Sequence, residues 1–310
     1  MLGRLLALAW NTFREGVRAR LLLGLLSALL AAVVAGAFVG QLAIREELRV
    51  VADTAAASVS LFSVIAAVVF MSTSLHREIE QRTLFPVLSR PVARHEVLIG
   101  KWAGAWLLLA VFAFVGGGAS MLVLALAAGV AWWKAALVAV LVGIATIAAR
   151  RTARRAPDVA WIVAGIVLFV SAHAIAAPLT SEASLLSHAA SLSLMEGATL
   201  LALGVMFSSF TRPAVTGVVT AGIWVAGRNA DMLEHMSVRQ FGEGLSKAGA
   251  VIARVVPNFQ IYVPTRSVLL GTDDTQSYAN YALQAAGLAA AYTVGAMIVA
   301  SWIFARRDIT

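Results

Sequence analysis

Polar and apolar residues alternate with a helical period over the first eighteen positions. Projected at 100° per residue, Leu2, Leu5, Leu6, Ala9, Trp10, Phe13 and Val17 share one face, and Arg4, Asn11, Arg14, Glu15 and Arg18 share the other; Leu8 alone falls off the stripe. A basic polar face opposite Trp and Phe predicts a helix lying in a membrane interface over residues 1–20. Beyond it the pattern becomes continuously apolar. Runs at 21–44, 55–75, 101–128, 131–149, 159–178, 188–209, 212–227 and 282–305 are the expected spans, most of them reaching the ~18–20 residues that carry a helix across a ~30 Å hydrocarbon core. The runs do not alternate, which excludes a β-barrel. Backbone groups in lipid must be bonded within the segment, so the expected fold is all-α. It is a single polytopic transmembrane domain over 1–310, with an interfacial helix and about eight transmembrane helices.

Two polar stretches interrupt the pattern. Residues 228–281 form the longest, expected to be an outer loop with short helices; 245–256 reads as an amphipathic helix stopped by Pro257, with Pro264 and Gly271 punctuating the rest of the loop. The other, 76–100, is compact and highly charged. Inside it Thr83 can cap a short helix with Pro86 in the first turn, where a missing N–H is harmless. Leu84, Phe85 and Leu88 then cluster at spacings of three and four, and Arg90 and Pro91 end the helix. With Glu78, Glu80, Arg82, Arg90 and Arg94 around it, this stretch has an apolar anchor and a charged rim, the makeup of a docking surface.

Composition supports a membrane protein: 60% of the 310 residues are hydrophobic and 13% charged, against roughly 25% charged in soluble domains. The formal charge of +8 is read as topogenic rather than as a nucleic-acid footprint, because no basic tail or aromatic-basic groove accompanies it. With the N-terminus inside, sixteen of the 24 Lys and Arg fall on the cytoplasmic side, among them Arg150, Arg151, Arg154 and Arg155. This count favours eight spans over six. The chain has no cysteine, so neither disulfides nor thiolate metal sites enter.

Catalytic motifs are missing. Gly100 and Lys101 are followed by Trp102 without the upstream glycine of a P-loop, and His95-Glu96 leads into Val-Leu-Ile-Gly rather than to a second zinc ligand. No Gly-x-Ser-x-Gly elbow occurs. Two ionisable residues within the apolar runs, Glu196 and His173, are candidates for lining a translocation path, since such groups are costly in lipid unless partnered or functional. Gly36 and Gly40, with Ala32 one turn earlier, make a small-residue stripe for close helix packing or a dimer seam. Gly116, Gly117 and Gly118 allow a close backbone approach or a hinge.

The stretch "REIEQRTLFPVLSRPVARHEVLIGKW" resembles the cytoplasmic segment of the permease subunits of type-2 ABC transporters. There an acidic pair precedes Gly-Thr and Leu-Leu, then Ser-x-Pro and a closing Gly-Lys. Glu78 and Glu80 match the acids, Thr83 and Leu84 the helix start, Ser89, Arg90 and Pro91 the exit, and Gly100 and Lys101 the close; Arg82 stands where the family often has Gly. The N-terminal helix resembles the family's elbow helix, "VVPNFQIY" its outer Pro-Asn-Phe element and "ARRDIT" its closing Arg-Asp. Residues 131–187 depart from the six-span core by adding a hydrophobic hairpin.

The resemblance implies a permease in the cytoplasmic membrane that has no catalysis or cofactor of its own and works with a separate ATPase subunit carrying ATP and Mg. It further implies two copies of each subunit and a coupling helix at Thr83–Ser89. The competing classes are a secondary transporter, which ordinarily has several midplane ionisable groups, and a membrane scaffold or sensor, which needs no coupling segment.

Overall fold

The computed structural model describes residues 2–43, 46–80, 93–154, 156–273 and 276–306. Twelve α-helices and one 3-10 turn make up the regular structure of these residues, with no strand among them. In chain order they are α1 (Leu2–Arg18), α2 (Arg20–Gln41), α3 (Glu47–Glu80), α4 (Arg94–Ala127), α5 (Trp132–Thr152), α6 (Val159–Ala176) and α7 (Glu182–Ser208). There follow α8 (Pro213–Arg228), α9 (Ala230–Glu234), α10 (Val238–Val255), the 3-10 turn (Phe259–Tyr262), α11 (Arg266–Leu270) and α12 (Tyr278–Arg306).

Seven of the described helices are long and apolar enough to cross a membrane: α2 to α7 and α12. The seventh expected span, 212–227, does form a helix, but α8 has 16 residues, which is about 24 Å of rise and short of a full hydrocarbon core. Pro213 occupies its first turn, where the absent N–H has no partner to lose. By contrast α3 and α4 each run to 34 residues, or about 51 Å, so both project beyond a ~30 Å core.

One end of the bundle gathers α1, the C-terminal part of α3, the start of α4 and the C-terminus of α12. We call it the elbow end. The α1 helix lies on α4 because glycines open the surface there. A Cβ on Gly104 would sit 2.2 Å from the Ala9 carbonyl oxygen, and one on Gly100 would sit 2.6 Å from the Leu8 Cβ. Phe13 and Val17 fill the space beyond, against Leu108 and Val111. Leu8, which the helical projection leaves off the stripe, is thus a packing residue, whereas Leu2 and Leu6 remain exposed. Asp158, just before α6, accepts from Arg14 Nε at 2.8 Å and lies 3.5 Å from Arg18 Nη2. That pair ties the α5–α6 hairpin to α1 and places Arg150, Arg151 and Arg154 at the elbow end. Helix α6 packs on α4, whereas α5 is peripheral: Val138 is its buried residue, and Trp132, Leu137, Leu141 and Ile144 face outward.

The core is α4 and α7 packed with α3, and small residues set the distances, as they do where no hydrophobic drive separates helix from lipid. Gly197 admits Leu109 and Gly204 admits Met71. The Trp102 and Trp106 indoles, stacked at 6.3 Å, donate to the Ala198 and Leu194 carbonyls of α7 at 3.0 and 3.2 Å. Gly36 and Gly40 of α2 face α3 of the same chain, where a Cβ would come within 2.4 Å of Thr54 Oγ1 and 2.6 Å of Val51 Cγ2; the stripe serves an internal contact. The three glycines of α4 also serve close packing. Gly116 meets Leu29 of α2, Gly117 the Phe169 ring, and a Cβ on Gly118 would lie 2.9 Å from the Phe169 backbone nitrogen. Helix α4 runs through them without a break.

Candidate functional site

The charged 76–100 stretch is the first candidate. Helix α3 continues to Glu80, so the backbone at Glu78 and Glu80 extends α3 rather than entering a loop; their side chains are outside what is described. Arg82, Thr83, Leu84, Phe85, Leu88 and Arg90 lie outside the described residues. The far side of the stretch is described from Ala93 onward. Arg94, the first residue of α4, donates from Nη1 to the carbonyls of Phe304 and Ala305 at 3.0 Å each. Glu96 caps its own helix by accepting the Ala93 N–H at 3.1 Å. Lys101, 3% exposed, reaches Ser74 of α3 at 3.4 Å. The stretch is therefore bounded by residues fastened to α3, α4 and α12 together.

The second candidate lies at the far end of the bundle, between α3, α7, α8 and the segment after α10. Glu196, on α7, is fully buried. It accepts Trp224 Nε1 at 2.8 Å and Arg228 Nε at 2.9 Å on one oxygen, and Arg228 Nη2 at 2.8 Å on the other. A forked guanidinium matched to a carboxylate is the geometry that best offsets desolvation of two buried charges. Arg228 Nη2 also donates to Ser60 Oγ of α3 at 2.7 Å, and its guanidinium sits 5.5 Å from the Trp224 ring. Glu196 thus joins α7, α8 and, through Arg228, α3.

Arg228 is the last residue of α8, and the Pro-Asn-Phe element seats beside it. Asn258 accepts the Gln260 N–H at 2.9 Å and starts the 3-10 turn. Fully buried Phe259 packs where Gly227 leaves room; a Cβ there would lie 2.2 Å from the Pro257 carbonyl oxygen. Tyr262 follows. Burial pushes its phenol up to about 12, against a smaller opposing effect of the Thr199 hydroxyl. Further on, Arg266 of α11 bonds both Asp53 of α3 and Glu182 of α7, and Tyr281 of α12 donates to the Ile261 carbonyl at 2.7 Å.

These contacts border a cavity of about 410 Å³, within the range of small-molecule sites, about 300–1,000 Å³. Asp53 and Arg266 stand at its rim, Ser60, Trp224 and Arg228 at its floor, and alanines and leucines of α3 and α7 along its walls. Rim and floor are separated by the seven residues from Asp53 to Ser60, about 10 Å along α3. His173 lies on α6, half-buried with its Nδ1 unpartnered among the described residues, and is not part of this lining. The sequence pattern had singled out Glu196 but not Arg228, Trp224, Asp53 or Arg266. The available signal was electrostatic: a lone carboxylate in an apolar run needs a cation, and Arg228 closes the run that comes next.

An all-helical, multi-pass bundle with an amphipathic helix laid on its base, a charged stretch between two overlong helices and a polar-floored cavity at the other end defines a membrane transport subunit. The chain belongs to the ABC-2 family of transporter proteins, whose description "ABC-2 family transporter protein" matches residues 6–309. It is accordingly a permease component of an ABC transporter, a class whose members associate with an ABC ATPase subunit. No curated protein matches the chain significantly.

Proposed function

We propose that this chain is the membrane half of an ATP-driven exporter in the cytoplasmic membrane, built from two copies of the permease and two of a separate ATPase that holds ATP and Mg. In this reading the 76–100 stretch faces the cytoplasm and Thr83–Ser89 is the helix that enters a cleft of the ATPase, with Phe85 and Leu88 as anchors and Glu78, Glu80, Arg82, Arg90 and Arg94 at the rim. One observation supports it above others: the stretch leaves α3 and re-enters α4 at residues fastened to three helices, through Arg94 to α12, Glu96 within α4 and Lys101 to α3. A push on a segment held this way moves helices, whereas a push on a tethered loop is absorbed by the loop. The far-end cavity, with Glu196 in its supporting shell, is the place where such motion acts on cargo.

The test is Phe85→Asp in the full chain co-expressed with its partner ATPase. A charge forced into a desolvated cleft should cost several kcal/mol of association. ATPase pull-down is expected to fall to background, and substrate-stimulated hydrolysis with it, while the permease inserts normally. Unchanged pull-down and unchanged hydrolysis by a correctly inserted Phe85→Asp chain would remove the coupling role from this stretch.

A further inference from the structure

The cavity at the far end carries a charge pattern that selects among ligands. Its two arginines are already committed. Arg228 is forked onto Glu196, and Arg266 lies between Asp53 and Glu182. With Glu196 and Glu182, which stand behind the lining, two guanidiniums face three carboxylates, so the cavity and its supporting residues carry one negative charge in excess. Arg49, 3.9 Å from Asp53, does not change the balance, because it is bonded to Glu46 at 2.8 Å. An anionic head group entering the cavity would face no uncommitted cation, and removing an anion from water without one is strongly unfavourable.

The excess sits at the rim. Arg228 and Glu196 cancel at the floor, and Arg266 cancels one of its two carboxylates. Asp53 is about half exposed (52%) beside the opening, whereas Glu182 stands behind the lining and holds Arg266 from there. The floor has the opposite character: Arg228 Nη1 is engaged by no other described residue, although Nε and Nη2 are fully used. A donor therefore remains at the floor, the Asp53 carboxylate at the rim, and apolar wall about 10 Å deep between them.

We propose that this cavity binds a cationic amphiphile: an ammonium group at the rim against Asp53, whose partner Arg266 is already held by Glu182 behind the lining, an apolar body along Ala56, Ala57 and Leu185, and an uncharged acceptor oxygen, where the molecule has one, directed to Arg228 Nη1. The proposal rests on the transport reading only in calling the occupant cargo, because binding itself needs neither ATP nor the ATPase. The walls supply affinity through apolar contact that any tail would enjoy, and the rim supplies the sign of the head group.

Because the native chain has no cysteine, a single Ala57→Cys variant of the full chain reports on occupancy by its rate of maleimide labelling. Ala57 is exposed on the cavity wall, so the change is compatible with folding. In dodecyl maltoside micelles, dodecylammonium and dodecanoate are added at equal mole fraction, giving two probes with the same tail length and opposite charge. Dodecylammonium is expected to slow labelling several-fold and dodecanoate to leave it near the untreated rate. Adding Asp53→Asn should weaken protection by the amine roughly two- to five-fold, the range of one partly exposed ion pair. Equal protection by both probes, stronger protection by dodecanoate, or protection indifferent to Asp53→Asn would each overturn the assignment. Labelling is read without ATP and without the ATPase, so its failure leaves the docking test on Phe85 untouched, and failure of that test leaves this result standing.

Discussion

Removing Arg228 should damage the protein more than removing Glu196, and removing both should damage it less than removing Arg228 alone. The Glu196 side chain is 1% exposed and the Arg228 side chain 19% exposed. In Arg228→Leu the carboxylate keeps only the Trp224 N–H, and an uncompensated buried charge costs about 3–5 kcal/mol. In Glu196→Leu the guanidinium keeps Ser60 and can turn into the cavity, where water reaches it, so the loss is nearer the ~1–3 kcal/mol of an unsatisfied polar group. The double change Glu196→Leu/Arg228→Leu removes both charges and leaves apolar volume, an exchange that is often neutral or stabilising by ~1–4 kcal/mol when the pair was buried. A double-mutant cycle by equilibrium unfolding in mixed micelles should therefore give a coupling of at least about 2 kcal/mol, with the double variant more stable than Arg228→Leu. If the single losses simply add, the ion pair does not hold α7 to α8 and the account of the cavity floor is wrong.

Glycine substitutions should divide by what a Cβ meets. Gly104→Ala brings a methyl to within 2.2 Å of the Ala9 carbonyl oxygen and should cost about 1–3 kcal/mol by lifting α1, whereas Gly143→Ala, in open space on α5, should be neutral or stabilising by up to ~1 kcal/mol; unfolding of the two variants side by side decides it. Asp158→Ala releases the hairpin from Arg14, which is 38% exposed, so it should cost under about 1 kcal/mol, and the difference from wild type should vanish in about 0.5 M salt; a loss that persists at high salt would mean that Asp158 acts through packing.

The sequence announces what is local and conceals what is distant. Helices α2 to α7 and α12 each follow from a long apolar run, and α10 from a period of 3.6, because both patterns lie within one segment. Ends are less legible: at the elbow end α3 runs on to Glu80 and α4 already starts at Arg94, both beyond the expected spans, since charged residues can stay helical once the helix has left the lipid. Leu8 was off the stripe by projection, yet it packs, because the gap it fills is made by Gly100 on another helix. Glu196 was legible as a lone carboxylate in an apolar run. Its partner was not, for Arg228 stands where a run ends, and an arginine there normally signals a boundary. The rim of the cavity is further still from local pattern: Arg266 and Asp53 are 213 positions apart, and neither is unusual in its own neighbourhood. What makes them a site is that Gly227 lets Phe259 close on the end of α8 and carry Tyr262 and Arg266 over α3. A polar loop after a short helix thus becomes the wall of a cavity through one missing side chain. Gly227→Val should for that reason open the cavity, and lose protection of Ala57→Cys by dodecylammonium, without touching a charged residue.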